Sequence, residues 1–173
     1  CGDDGGGGSD TVISLASVPG ITPPVYGEIP VTTITETTQY TGTVTWSDSP
    51  VTFAATTVYT ATITLTANPG YTLTGVAADF FTVAGATSDT NSVDSGVVTA
   101  VFPATGTPPA GDKVTYTADG VSFIMVYVPG GKTFPTGIDD LGTPATVDNA
   151  YWIAETELTY ELWQKVYTWA TSG

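Results

Sequence analysis

The sequence predicts a mainly β chain, an antiparallel sandwich followed by a shorter part in which strands lead into one helix. Three observations point there. Apolar residues and threonines alternate one for one in several runs before Ala104, the pattern of strands with one buried and one wet face. Pro and Gly punctuate those runs at hairpin spacing, with no helical pattern between them. A 3.6-residue apolar period begins only after Thr159.

Composition narrows the function. At 173 residues the chain has room for one ordinary domain or one and a half small ones. Apolar residues make up 41% and charged residues 12%, so it is no charged disordered tail. Seventeen acids stand against three lysines, with no Arg and no His, for a net charge of -14. Phosphate binding relies on Lys and Arg to release counterions, so nucleic acid and an electrostatic grip on anionic lipid are excluded as partners. Without histidine the chain also lacks the usual general base and the commonest metal ligand. A soluble extracytoplasmic surface fits this balance.

Cys1 is the single cysteine, and Gly2-Asp-Asp-Gly-Gly-Gly-Gly-Ser-Asp10 follows it. This start resembles a processed bacterial lipoprotein, which implies a lipidated Cys1 and a flexible tether over residues 1–11. Nine glycine-rich residues span roughly 15–18 Å on average. The two or three acyl chains of such a cysteine anchor stably where one would not. The sequence has no apolar stretch long enough to span a bilayer, so the anchor would be lipid alone.

From 12 to 104 the strands follow in order. Ile13 to Val18 is a first strand, and Pro19-Gly20, Pro23-Pro24 and Pro30 mark it as an edge crossing between sheets. Tyr40, Gly42, Val44 and Trp46 alternate with Thr41, Thr43 and Thr45. Tyr59, Ala61, Ile63, Leu65 and Ala67 alternate with Thr60, Thr62, Thr64 and Thr66. Asn68-Pro-Gly-Tyr71 makes a turn, and Phe80 to Ala84 and Val97 to Phe102 are two more strands around a loop from Gly85 to Gly96. Trp46 is the expected core aromatic, with no cysteine pair beside it. This part is similar to Ig-like repeats of bacterial surface proteins, so an Ig-like antiparallel β-sandwich is expected.

Residues 105–112, rich in Pro and Gly, are expected to link the sandwich to a second domain over 113–173. There, Val114 to Thr117 and Val121 to Val128 form a hairpin across Asp119-Gly120, a pair that readily takes the positive φ of a tight turn. Phe123-Ile-Met-Val-Tyr-Val-Pro-Gly-Gly-Lys-Thr-Phe-Pro-Thr-Gly137 is a strand, a turn and a short second strand. Tyr151-Trp-Ile-Ala-Glu-Thr-Glu-Leu-Thr-Tyr-Glu-Leu-Trp163 is a strand that feeds a helix capped by Thr159. In this order and spacing the two blocks resemble the opening of the formylglycine-generating enzyme (sulfatase-modifying factor) family. That resemblance implies an incomplete α+β domain of the C-type-lectin fold. The same domain type serves as a scaffold in retroelement-diversified variable proteins.

The family's catalytic cysteine pair and the iron-binding histidines of its relatives have no counterpart past Cys1. No catalytic residue is therefore carried over, no cofactor is expected, and this chain is not read as an enzyme. Other constellations have blander readings. Glu155 and Glu157 could be an acid-base or metal pair, but Glu157 belongs to the strand-to-helix block and reads as structural. Asp89, Asn91 and Asp94 have some of the spacing of a calcium loop yet lack its Gly and bidentate Glu; they and Asp139-Asp140 read as solvated acidic turns. Gly130-Gly131 lacks the Lys and helix of a phosphate loop.

Trp152, Trp163 and Trp169 crowd the last 22 residues, more apolar surface than one hairpin and a helix can cover. The expectation is a helix whose stripe of Leu162, Val166, Trp169 and Ala170, flanked by Trp163 and Tyr167, packs on polypeptide beyond Gly173, or else binds another chain. The reading that follows is a lipid-anchored protein of the bacterial outer membrane or cell surface. Its lectin-like domain would bind an extracellular protein or glycan, with ligand-binding residues unknown. The alternative is a fragment of a formylglycine-generating or non-heme iron enzyme. Cys1→Ser is expected to move the protein from the membrane fraction to the soluble fraction; continued sedimentation with membranes would count against the lipid anchor.

Overall fold

The computed structural model describes residues 9–118, 120–134, 144–157 and 159–171. The chain divides into two compact units, Cys1–Thr107 and Pro108–Gly173. Both are mainly β with antiparallel sheets, and the described helix is short. Cys1 with most of its tether, Asp119 and Asp139-Asp140 lie outside the described residues. No helix among the described residues is long and apolar enough to cross a membrane.

The larger unit is organised on a four-stranded sheet of β3 (Tyr40–Trp46), β4 (Thr60–Ala67), β7 (Ser88–Asn91) and β8 (Val97–Val101), in the order β3-β4-β8-β7 and antiparallel throughout. The threonine alternation does what its period requires. Tyr40, Val44, Trp46, Ala61, Ile63, Leu65, Val98 and Ala100 are buried on one face, while the threonines between them face outward. The buried face is covered by Ile13, Val18, Ile21, Ile34, Val76, Phe81 and Val83 from the remaining segments. Trp46 packs edge-on to Phe53 at 5.0 Å and beside Phe102 at 5.4 Å, and its Nε1 donates to the Val31 carbonyl at 2.8 Å. Burying the ring is therefore compatible with satisfying its one donor.

Two short parallel ladders bind the outer segments. β1 (Thr11–Val12) pairs with β5 (Tyr71–Thr72), and β2 (Ser17–Val18) pairs with β6 (Thr82–Val83). The continuous strand expected from Ile13 to Val18 is thus broken in the middle. The cause is Gln39, whose Oε1 accepts from the N–H groups of Ser14 and Leu15 at 2.8 and 2.9 Å and turns that backbone away from a ladder. The strand expected over Phe80 to Ala84 shortens to β6 alone. The turn after β4 has Gly70 at φ 84°, where a side chain would be strained, and closes with Tyr71 N–H on the Asn68 carbonyl at 3.0 Å.

The loop expected from Gly85 to Gly96 contains a strand. β7 pairs with β8 from Ser88↔Val101 to Asn91↔Val98. It carries no apolar alternation because its inward positions are Asp89 and Asn91, whose polar ends meet backbone instead of core.

The expected linker is largely bonded to what flanks it. Thr105 Oγ1 accepts from Thr57 N–H at 3.0 Å and donates to the Ala54 carbonyl at 2.6 Å. At the other end, Gly111 N–H donates to the Tyr127 carbonyl at 2.9 Å and Tyr127 N–H to the Asp112 carbonyl at 2.8 Å.

The smaller unit has a three-stranded antiparallel sheet in the order β13-β10-β9, made of β9 (Lys113–Ala118), β10 (Val121–Val128) and β13 (Tyr151–Ala154). β9 and β10 meet at Ala118↔Val121 with Gly120 at φ 82°, the tight hairpin expected. β11 (Lys132–Phe134) pairs with β12 (Ala145–Val147), and α1 (Tyr160–Thr171) follows β13.

Tyr40 is fully buried, donates from its hydroxyl to the Ser17 carbonyl at 2.7 Å and meets Phe81 edge-on. Burial pushes its phenol above the ordinary value, since the ionised form would lose its water. The folded chain therefore holds this proton where the unfolded chain releases it. The stabilisation is complete below about pH 10 and is lost as pH rises through the raised folded value. Tyr40→Phe is expected to cost about 1 kcal/mol at neutral pH. Urea unfolding of the full chain, followed by its β signal from pH 8 to 11, should find a smaller alkaline loss of stability in that variant than in the parent.

Candidate functional site

The larger unit uses its acidic loop for construction. Asp89 Oδ2 accepts from Val83 N–H at 2.9 Å, Asn91 Oδ1 from Phe81 N–H at 3.1 Å, and Asp94 Oδ1 from Gly75 N–H at 2.6 Å. Asn91, itself buried, also donates to the carbonyls of Ala77 and Ser92. The three side chains serve three separate backbone amides, which corrects the reading of a merely solvated turn. Among the described residues no cluster of three or more His, Cys, Asp or Glu could hold a metal ion.

Glu155 and Glu157 fall beyond the end of β13 and do not share a strand face. Glu155 pairs with Lys113, and its N–H extends the β10 ladder by donating to the Ile124 carbonyl at 2.9 Å. Both partners of that ion pair are substantially exposed, so it contributes at most about 1 kcal/mol. Glu157 lines a shallow pocket of about 190 Å³ together with Ser122, Phe123, Ile124, Thr159 and Leu162.

The apolar surface of the smaller unit is more informative. β10 contains the uninterrupted run Phe123-Ile-Met-Val-Tyr-Val128, so both faces of its sheet are apolar. On one face Phe123 stacks on Tyr116 at 5.8 Å and Tyr127 tilts against Trp152 at 5.2 Å. The opposite face carries Ile124, Val126 and Val128 with Ile153 and Tyr151, and three of these five are exposed. Tyr127 is the one buried hydrophobic residue among the described residues of this unit.

Helix α1 starts as expected. Thr159 Oγ1 accepts from Leu162 N–H at 3.2 Å, and its carbonyl accepts from Trp163 N–H at 2.9 Å. Leu162 is half-buried at the pocket; the side chains of Val166, Trp169 and Ala170 lie outside the described residues. A different stripe stands out. Tyr160, Trp163 and Tyr167, at i, i+3 and i+7, stack in a ladder with centroids 6.1 and 5.3 Å apart and planes within 26° and 14°. They are 73%, 48% and 55% exposed. Their spacing is legible in the sequence, which places Trp163 and Tyr167 as flanks of the stripe of Leu162, Val166, Trp169 and Ala170.

Compared with known proteins, the chain matches no protein-family model, no curated protein and no solved structure.

Asn91→Ala is expected to cost about 1–3 kcal/mol by leaving buried backbone groups without partners, whereas calcium should leave the melting temperature unchanged. Thermal melts with and without the substitution, in calcium and in chelator, check both; a calcium-dependent rise would restore the metal reading.

Proposed function

We propose that the protein is a bacterial surface lipoprotein, held through lipid on Cys1, in which an Ig-like β-unit spaces a ligand-binding or adhesion unit away from the membrane. The second unit would be the opening of a C-type-lectin-like domain of the formylglycine-generating-enzyme type. The order and spacing of its two sequence blocks support that reading. So do the hairpin, the strand β13 and the Thr159-capped helix that those blocks form.

The exposed aromatic ladder of α1 carries the binding role. Covering the outer half of three such rings removes on the order of 200–400 Å² of apolar surface from water, about 5–10 kcal/mol before the costs of association. Tyr and Trp supply that area at low entropic cost and keep a polar edge for hydrogen bonds, which is why they concentrate in binding surfaces. The net charge of -14 restricts partners to neutral or basic ones. An extracellular protein or a glycan meets that condition.

The test compares the full chain with the triple variant Tyr160→Ser, Trp163→Ser and Tyr167→Ser on arrays of glycans and extracellular proteins. Specific retention of the parent, reduced about tenfold or more in the variant, is the expected outcome. Equal retention of both forms, or none by either, would remove the ladder from the binding role.

A further inference from the structure

The packing of the three rings on α1 governs how a partner can meet them. Each helical residue turns the chain by about 100°, so Tyr160, Trp163 and Tyr167 fall within about 60° of one another around the axis. Their planes lie within 26° and 14° of parallel, with centroids 6.1 and 5.3 Å apart. Two rings side by side in one plane need roughly 6.5 Å, two ring radii plus one carbon–carbon contact. These rings therefore overlap face to face with an offset. Trp163, in the middle, turns one face toward each tyrosine, and what the stack leaves outward is edges. The result is a ridge one ring wide that runs about 10 Å along the helix.

The helix behind the ridge is open on both flanks. Among the described side chains of α1, Leu162 alone is partly covered; Glu161, Gln164, Lys165 and Thr168 are exposed along with the rings. A partner surface can close around such a helix instead of touching only its crest.

We infer that α1 inserts ridge-first into an apolar groove on a partner protein. This names the partner class for the binding role of the ladder and rests on that role. Anchors at i, i+3 and i+7 are the spacing with which an amphipathic helix fills a groove. Ring edges carry the positive rim of the aromatic quadrupole, and Trp and Tyr add a hydrogen-bond donor there. The groove that fits them offers aromatic faces and backbone carbonyls. Its rim is basic, because a chain of net charge -14 is drawn to positive surface. A sugar ring, by contrast, lies flat on an uncovered aromatic face. The inner faces of this stack look at one another, and the outer faces of Tyr160 and Tyr167 look in opposite directions, so the ridge forms no such platform.

The test exposes the full chain to individually purified extracellular proteins and, in parallel, to a panel of oligosaccharides. Retention by a protein with an apolar, basic-rimmed groove is expected, reduced about tenfold or more by Trp163→Ser. Gln164→Arg places a longer, positive side chain beside the ridge at no cost in helix propensity. It should reduce retention about tenfold as well, because the groove wall meets that side chain, whereas a ligand resting on the ring edges alone would not. Ile153→Ser, exposed on β13, should leave retention unchanged. Circular dichroism checks the fold of each variant, and Thr168→Arg replaces Gln164→Arg if that variant fails to fold. Retention by oligosaccharides alone, lost in Trp163→Ser, overturns the groove and leaves the binding role of the ladder standing. Retention by a protein that the flanking arginine does not reduce also overturns the groove. Self-association in sedimentation, lost in Trp163→Ser, overturns it in favour of a second copy of the chain. Retention by neither panel overturns the groove and the binding role together.

Discussion

The pairing register of β3 against β4 is the constraint on which the larger unit depends. Val44 lies across from Ile63, Trp46 from Ala61 and Tyr40 from Ala67, with threonine facing threonine at the positions between. A slip of one residue would send the buried side chains to water and the hydroxyls into the core. Neither face tolerates that exchange, so the alternation specifies one register. β8 then extends the same division, with Val98 and Ala100 inward and Thr99 outward.

With the inner face defined, the irregular segments have a surface to cover. They are held by short ladders and single backbone bonds, and also by polar side chains that reach across the sequence. Gln39 stops β1 from continuing toward β2, Tyr40 ties its hydroxyl to Ser17, and Asn91 joins the segments around Ala77 and Phe81 to the sheet edge. Each bond satisfies a backbone group that no strand partner reaches. Left unpaired, the buried Phe81 amide would cost about 1–3 kcal/mol, whereas the exposed amides served by Gln39 would cost less. The larger unit can therefore contain short two-residue strands and remain well packed.

The two units divide the work of burial unequally. The larger one has a connected core of aliphatic and aromatic residues, and its outer sheet face is hydroxyl-rich. The smaller one leaves apolar groups outward on β10, β13 and α1. An apolar face of that extent leaves side chains in water that a packed core would have covered. The same chain thus presents two kinds of outward face, one chosen to be comfortable in water and one that is not.

Period, punctuation and cap were legible in the sequence because they depend on neighbours a few residues away. The two alternating strands, the Asn68 to Tyr71 turn, the Ala118 to Val121 hairpin, the place of Trp46 and the Thr159 cap all belong to that class. β7 was not legible, since an edge strand with Asp89 and Asn91 turned inward has no apolar rhythm. Its stability lies in amides of Val83 and Phe81 that only the fold brings near. The same holds for Glu155, whose partner Lys113 is distant in sequence, and for α1, where helical spacing placed Tyr160, Trp163 and Tyr167 together but only packing left them outward. Local backbone preference is written in order along the chain; which polar group meets which amide, and which apolar face is left uncovered, follows from distances that exist only after folding.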